Sequence, residues 1–248
     1  MNPEGPDPTA IQPKMHVDPA LEVEFPGLRV AELVVRGLTV RKSATGLEAL
    51  KATIYEEMRK SGKTLETVKD DALFKAYRDF YWKVGIDPTK TRPAAEALTR
   101  RVLGGKEIPA INTLVDACNL VSLKTSIAIA AFDCAHLRPE ALNFRRARAG
   151  ESFLGIGMSH PVLLEGIEAV IEDTEHHDLA AFYPFRNAER SKVTESTRDA
   201  FLLMCGVPGV DDRHLERAKA LCQELVVEFC RASNGSGSDA GPGESGGL

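Results

Sequence analysis

The feature that most constrains the fold is a change of hydrophobic period along the chain. From Gly46 to Thr125 the apolar residues recur at helical spacing, from Ile127 to Tyr183 they come in strand-length runs, and from Asp211 to Arg231 helical spacing returns. A 3.6-residue period marks the buried stripe of a helix and a two-residue period the buried face of a strand, so a chain that switches between them must pack helices on sheet. Leu47, Leu50, Ile54 and Met58 share one face of a helix over Gly46–Lys60; Ala72, Leu73, Tyr77, Phe80 and Val84 share one over Leu65–Val84. Pro93 stands at a first helical position, and Gly104-Gly105 ends that helix. Leu114, Val115, Cys118, Val121 and Thr125 predict a helix over Asn112–Thr125, and Leu215, Ala218, Cys222, Leu225 and Phe229 another over Asp211–Arg231. Strand candidates are Leu28–Val40, Ile127–Phe132, Ser152–Ile156, Leu163–Ile171 and Ala180–Tyr183. The sum is an α+β fold with an irregular order of helices and strands.

The 248 residues, 43% hydrophobic and 27% charged, suffice for a sizeable core. Residues 1–20 carry five prolines, and residues 233–248 are mostly glycine, serine and acids, so both are expected to be disordered tails around one domain over residues 21–232. No run approaches the roughly 18 apolar residues of a membrane helix, and Met1–Ala10 lacks the regions of a signal peptide, which predicts a soluble cytoplasmic protein without a membrane partner. The five cysteines are odd in number and show no CxxC spacing; Cys118 and Cys222 fall on apolar stripes as small buried hydrophobes. Ser122 and Ser191 lack a credible His-Asp partnership, and His176-His177 between Glu175 and Asp178 reads as an exposed acidic turn. No metal and no cofactor is expected, and without a P-loop or dinucleotide glycine pattern the chain has no nucleotide-activating centre.

The formal charge of −5 hides an asymmetry. Residues 73–106 hold eight basic and three acidic side chains, +5, which leaves −10 for the rest. Within this stretch Lys90 and Arg92 precede a helix start and Arg100 and Arg101 follow it. That arrangement suits either a gripped phosphate or a solvated turn with surface ion pairs. Phe80-Tyr81-Trp82 lies just upstream; the aromatics are core residues or, at Trp82, a platform for an unpaired base. Asn112, Asp116 and Asn119 recur on one side of an otherwise apolar helix, where they either hold a ligand's polar groups or brace backbone.

The segment Ile108-Pro109-Ala110-Ile111-Asn112-Thr113-Leu114-Val115-Asp116-Ala117-Cys118-Asn119-Leu120-Val121, followed by Ala131-Phe132-Asp133, resembles the B3/B4 editing domain found in the beta subunit of bacterial phenylalanyl-tRNA synthetase. The likeness continues through Arg145-Arg146-Ala147-Arg148-Ala149-Gly150-Glu151 and Ser191-Lys192-Val193-Thr194-Glu195-Ser196-Thr197, covering roughly residues 107–203. Upstream, Tyr81-Trp82 and Asp87-Pro88-Thr89-Lys90-Thr91-Arg92-Pro93 resemble what short standalone members of the family carry.

The resemblance implies a layered β/β/α fold with a mixed sheet and packed helices, tRNA as partner, a synthetase as a further associate, and hydrolysis of a mischarged aminoacyl ester by a freestanding protein. By position Asn119 matches a pocket asparagine, while Ala130 stands where the synthetase has histidine and Tyr183-Pro184-Phe185-Arg186-Asn187 replaces a glycine-rich stretch. The expected site therefore has Asn119 and Arg186 in catalytic roles, Asn112, Asp116, Lys124 and Tyr183 around the aminoacyl group, and Lys90, Arg92, Arg100, Arg101 and Trp82 on RNA. The bulky replacement predicts a smaller, more polar pocket suited to a small or polar amino acid. A non-catalytic module for aminoacyl-tRNA or an amino acid, and an enzyme on a metabolite unrelated to tRNA, are the competing readings.

Overall fold

Two sheets are built from strands that come from distant parts of the chain. The computed structural model describes residues 14–231. In chain order these form β1 (His16–Val17), α1 (Pro19–Glu24), β2 (Val30–Val35), α2 (Thr45–Lys60), α3 (Ala72–Lys83), α4 (Ala94–Leu103), α5 (Thr113–Thr125), β3 (Ala128–Asp133), β4 (Leu142–Arg146), β5 (Ser152–Phe153), β6 (Val162–Leu163), β7 (Ala169–Asp173), β8 (Asp178–Phe182), β9 (Arg186–Asn187), β10 (Ala200–Cys205) and α6 (Asp212–Cys230). The fold is α+β.

The smaller sheet has the order β2-β10-β3, antiparallel throughout, with Leu202 opposite Leu33 on one side and Ala131 on the other. The larger is mixed, β1-β4-β7-β8-β9, its only parallel pair being β1 with β4. β5 and β6 make a separate hairpin. All six residues of β10 are buried, so both faces of that strand are covered. Helices α5 and α6 pack on each other and reach the smaller sheet at β3 and β2. From the larger sheet Tyr183, at the end of β8, packs its ring 4.4 Å from Phe144 and donates its hydroxyl to the Gly206 carbonyl at 2.6 Å. Tyr77 ties α3 to the smaller sheet, its hydroxyl donating to the Cys205 carbonyl and accepting from Ala128 N at 3.1 Å. Between the strand ends, Thr197 donates to the buried Asp133 carboxylate at 2.6 Å.

Side-chain caps mark the starts of α1, α3, α5 and α6. Asn112 accepts from Val115 N at 3.0 Å and starts α5, and Asp211 accepts from His214 N at 3.1 Å and starts α6. The helix expected over Leu65–Val84 begins instead at Ala72, because the Asp71 carboxylate accepts from Leu73 N at 3.0 Å while Thr64 and Thr67 bind each other's backbone upstream. The run Leu163–Ile171 divides into β6 and β7, and Ser152–Ile156 contributes only two strand residues.

The expected N-terminal tail reaches too far. Met15 is 2% exposed and β1 pairs with β4, so residues 14–20 belong to the fold; the remainder of that tail and residues 233–248 lie outside the described residues. The all-apolar run Ala200–Cys205, bounded by Asp199 and Gly206, is the central strand of the smaller sheet and is absent from the sequence expectations, as is β4. Cys118, Cys205, Cys222 and Cys230 are buried free thiols. Among the described residues no helix is long and apolar enough to cross a membrane.

Candidate functional site

The two sheets meet edge to edge at β3 and β9, both outermost strands. An edge strand turns alternate backbone groups away from its single neighbour, and one of these, the Ala131 carbonyl, accepts from Asn187 Nδ2 at 3.0 Å. Two cavities flank this seam. The first, about 310 Å³, has Ala128, Ala130 and Cys205 of the smaller sheet on one side and the Tyr183–Asn187 turn on the other, with Ala94 of α4 at its margin. The second, about 220 Å³, lies against α5 and is bordered by Ile111, Val115, Cys118, Asn119, Lys192 and Val193. Ile129, Ile156 and Asn187 border both.

The loop after β5 closes over the seam. Ile156 N donates to the Asn187 carbonyl at 2.9 Å, Arg186 Nη1 donates to the Ile156 carbonyl at 2.6 Å, and Gly155 bridges to Ala188. Arg186 also lies over the Phe185 ring, 4.9 Å from its centroid. Gly155 is what lets the arginine through, because a Cβ there would meet Arg186 Cδ at 2.3 Å.

The structure separates the residues expected to hold substrate. Asn119 is half-buried on the wall of the second cavity, and its amide has no hydrogen-bond partner among the described residues, so donors and acceptor are free for a ligand. Tyr183 borders the first cavity but contributes ring only, its hydroxyl being committed to Gly206. Asp116 is 1% exposed; it binds Lys51 Nζ at 2.6 Å and accepts from Ile111 N at 3.0 Å, and it borders neither cavity. Asn112, 3% exposed, is a helix cap. Lys124 is exposed in a different hollow, between α2 and α6.

Apolar groups make up much of the first cavity's wall. Arg186 and Asn187 bring the polar side-chain groups of the first cavity, against alanines, isoleucines and aromatics, and Ala130 places a methyl group where the resemblance anticipates imidazole. Burial pushes the Cys205 thiol up to about 12 and the Tyr183 phenol well above its ordinary value, so both are neutral walls near pH 7. No carboxylate or imidazole borders either cavity among the described residues. The groups on offer are amides, a guanidinium and an ammonium, which polarise and orient rather than take protons.

Beside the first cavity lies an open basic hollow bordered by Arg92, Ala97, Arg100, Arg101, Gly104 and Lys106. The two share one element: Ala94, in the first turn of α4, borders the cavity, and Arg92 and Ala97 on either side of it in sequence border the hollow. Arg100 is largely committed, its Nε to Glu96 at 2.8 Å and its Nη1 to the Leu65 carbonyl at 2.9 Å, and Arg101 donates to the Glu107 carbonyl at 2.5 Å. The side chains of Arg92 and Lys106 have no hydrogen bond or ion pair among the described residues. Lys90, near Asp87, and Trp82, 58% exposed on α3, are not on the hollow's wall. Lys106, Asn187, Lys192 and Ile156 join the site without having been given a site role from the sequence, although Lys106 closes the basic stretch, Asn187 closes the altered Tyr183–Asn187 stretch and Lys192 lies in the resembling segment Ser191–Thr197.

Residues 76–231 match the family model described as B3/4 domain. The phenylalanine–tRNA ligase beta subunit of Symbiobacterium thermophilum is 30% identical over 127 residues, 51% of this chain and 14% of that protein. Its counterpart in Brucella abortus is 24% identical over 186 residues, 75% of this chain and 22% of that protein. The chain thus spans well under a third of the length of these relatives. Among solved structures, an N-terminal fragment of the phenylalanyl-tRNA synthetase beta subunit from Pyrococcus horikoshii aligns with TM-score 0.47 and 13% identity, covering 88% of this chain and 49% of that one.

Proposed function

The chain belongs to the B3/4 domain family, and from this we propose that it binds the charged end of a tRNA and hydrolyses wrongly attached amino acids from it, acting in trans. The observation that carries the reading is the shared first turn of α4: a polyanion lying in the basic hollow at Arg92, Arg101 and Lys106 would have its end directed into the adjoining cavity. The relatives, named as subunits of a tRNA ligase, supply the class of polyanion.

An aminoacyl ester is already activated, and the neighbouring ribose hydroxyl can orient a water, so positioning and polarisation suffice. Asn119 and Asn187 present amides at the seam, and the apolar walls exclude bulk water. The test is a deacylation time course with correctly and wrongly charged tRNAs, comparing the wild type with Asn119→Ala. Rapid loss of particular mischarged species, slowed about a hundredfold or more by the substitution, supports the hydrolase. Arg92→Glu with Arg101→Glu should weaken tRNA binding and make its salt dependence shallower by about one unit of slope per lost phosphate contact. Unchanged binding would remove the hollow from the account.

The absence of a carboxylate or imidazole along either cavity, among the described residues, favours a second reading: a module that holds aminoacyl-tRNA, alone or for a synthetase, without cleaving it. Under that reading every ester decays at its uncatalysed rate in the presence of saturating protein.

A further inference from the structure

We infer that Ile156 is the partition that sets how large an amino acid the site accepts, an inference that rests on reading the seam as an aminoacyl-ester pocket. Three residues border both cavities, and they differ in how firmly they are held. Ile129 sits within β3, and Asn187 is in β9 with its amide on the Ala131 carbonyl. Ile156 belongs to the loop that follows β5, outside any strand, and keeps 39% of its surface exposed at the seam.

What holds Ile156 in place is backbone and one side chain. Its amide donates to the Asn187 carbonyl at 2.9 Å, and its own carbonyl accepts Arg186 Nη1 at 2.6 Å. The arginine reaches it across Gly155, where no Cβ can be accommodated without moving Arg186. The latch fixes the backbone at 156 while leaving the side chain as a plug between chambers of about 310 and 220 Å³. Because aliphatic and aromatic groups make up much of both walls, a single aliphatic side chain between the chambers changes the room for an apolar substituent without changing any polar partner. Discrimination by apolar fit is modest per methylene and cumulative, so the size limit should follow the volume at position 156.

Two opposite substitutions test this: Ile156→Ala joins the chambers, and Ile156→Phe fills the passage. The probes are alanyl, valyl, leucyl and phenylalanyl esters of one tRNA for turnover, and the corresponding stable amide-linked aminoacyl adenosines for binding, so the readout does not depend on hydrolysis. Relative to the wild type, Ile156→Ala should raise the phenylalanyl-to-alanyl affinity ratio by about tenfold or more, and Ile156→Phe should lower it. Where turnover is seen, the change should fall on KM more than on kcat. Gly155→Ala, which displaces Arg186, should shift the ratio in the same direction as Ile156→Ala. A size profile that is the same in wild type, Ile156→Ala and Ile156→Phe would overturn the partition while leaving the aminoacyl site intact. A wild type that binds none of the four analogues would overturn the aminoacyl reading and the partition with it.

Discussion

Asp116 is expected from the sequence to bind substrate and is instead occupied by the fold. Its carboxylate holds Lys51, which also binds Glu48 at 2.8 Å, and all but about a hundredth of Asp116 is enclosed. Burial would discharge the ammonium, but the hydrogen bonds it donates to Asp116 and Glu48, with their negative charges, together outweigh that, so the Lys51 pKa lies above its ordinary value. Removing Asp116 leaves the buried ammonium with only the half-exposed Glu48 as a partner and takes the acceptor from the Ile111 amide. Asp116→Ala should therefore cost about 3–5 kcal/mol of stability, read as a lower urea midpoint, with no change in the KM of the folded fraction. A raised KM at wild-type stability would return Asp116 to the site. The spacing Asn112, Asp116, Asn119 does identify polar positions on one helix, but it cannot reveal that Lys51, 65 residues away in sequence, claims the middle one. Asn119 borders the second cavity with its amide unsatisfied among the described residues, which leaves it available for the proposed role.

At the scale of elements, the helices were legible where a strong apolar stripe met a cap, as in α5 and α6, and blurred where Asp71 restarted the chain. Strands suffered more. β10 is an unbroken apolar run because both its faces are covered, and without alternation it carries no period to read. β4 was hidden for the opposite reason, its charged residues being paired within the sheet region. Arg145 binds Glu151 and Glu172 at 2.6 Å each, tying β4 to its neighbour β7 and to the turn before β5. Hydrogen bonding from Arg145, opposed by burial, holds the Glu172 carboxyl below its ordinary range. The folded pKa being lower than an unfolded value of about 4.3, the pair's contribution is complete above that value and is lost as pH falls through the folded one. Glu172→Gln should accordingly flatten the acid limb of a stability-versus-pH curve below about pH 5. An acid limb as steep as that of the wild type would mean that another carboxylate drives it.

For the molecule as a whole, the α+β class followed from the change of period, whereas the site did not, because it forms where two sheets touch and neither strand announces its neighbour. Tyr183 ties the larger sheet to the smaller, and Tyr77 ties α3 to the paired ends of β3 and β10. Tyr77→Phe would leave the Ala128 amide and the Cys205 carbonyl, both buried, without their common partner, and should cost about 1–3 kcal/mol in chemical denaturation. A loss within a few tenths of a kcal/mol would show that the ladder closes up behind the missing hydroxyl. The order β2-β10-β3 reaches further, into the birth of the chain. On a ribosome β2 and β3 emerge well before β10, the strand that must come between them, and the stretch separating β3 from β10 takes on the order of several seconds to synthesise. Throughout that interval two apolar strands wait with no partner between them, so the nascent polypeptide has a period of greatest exposure to aggregation and chaperone capture that ends only when Cys205 has cleared the exit tunnel.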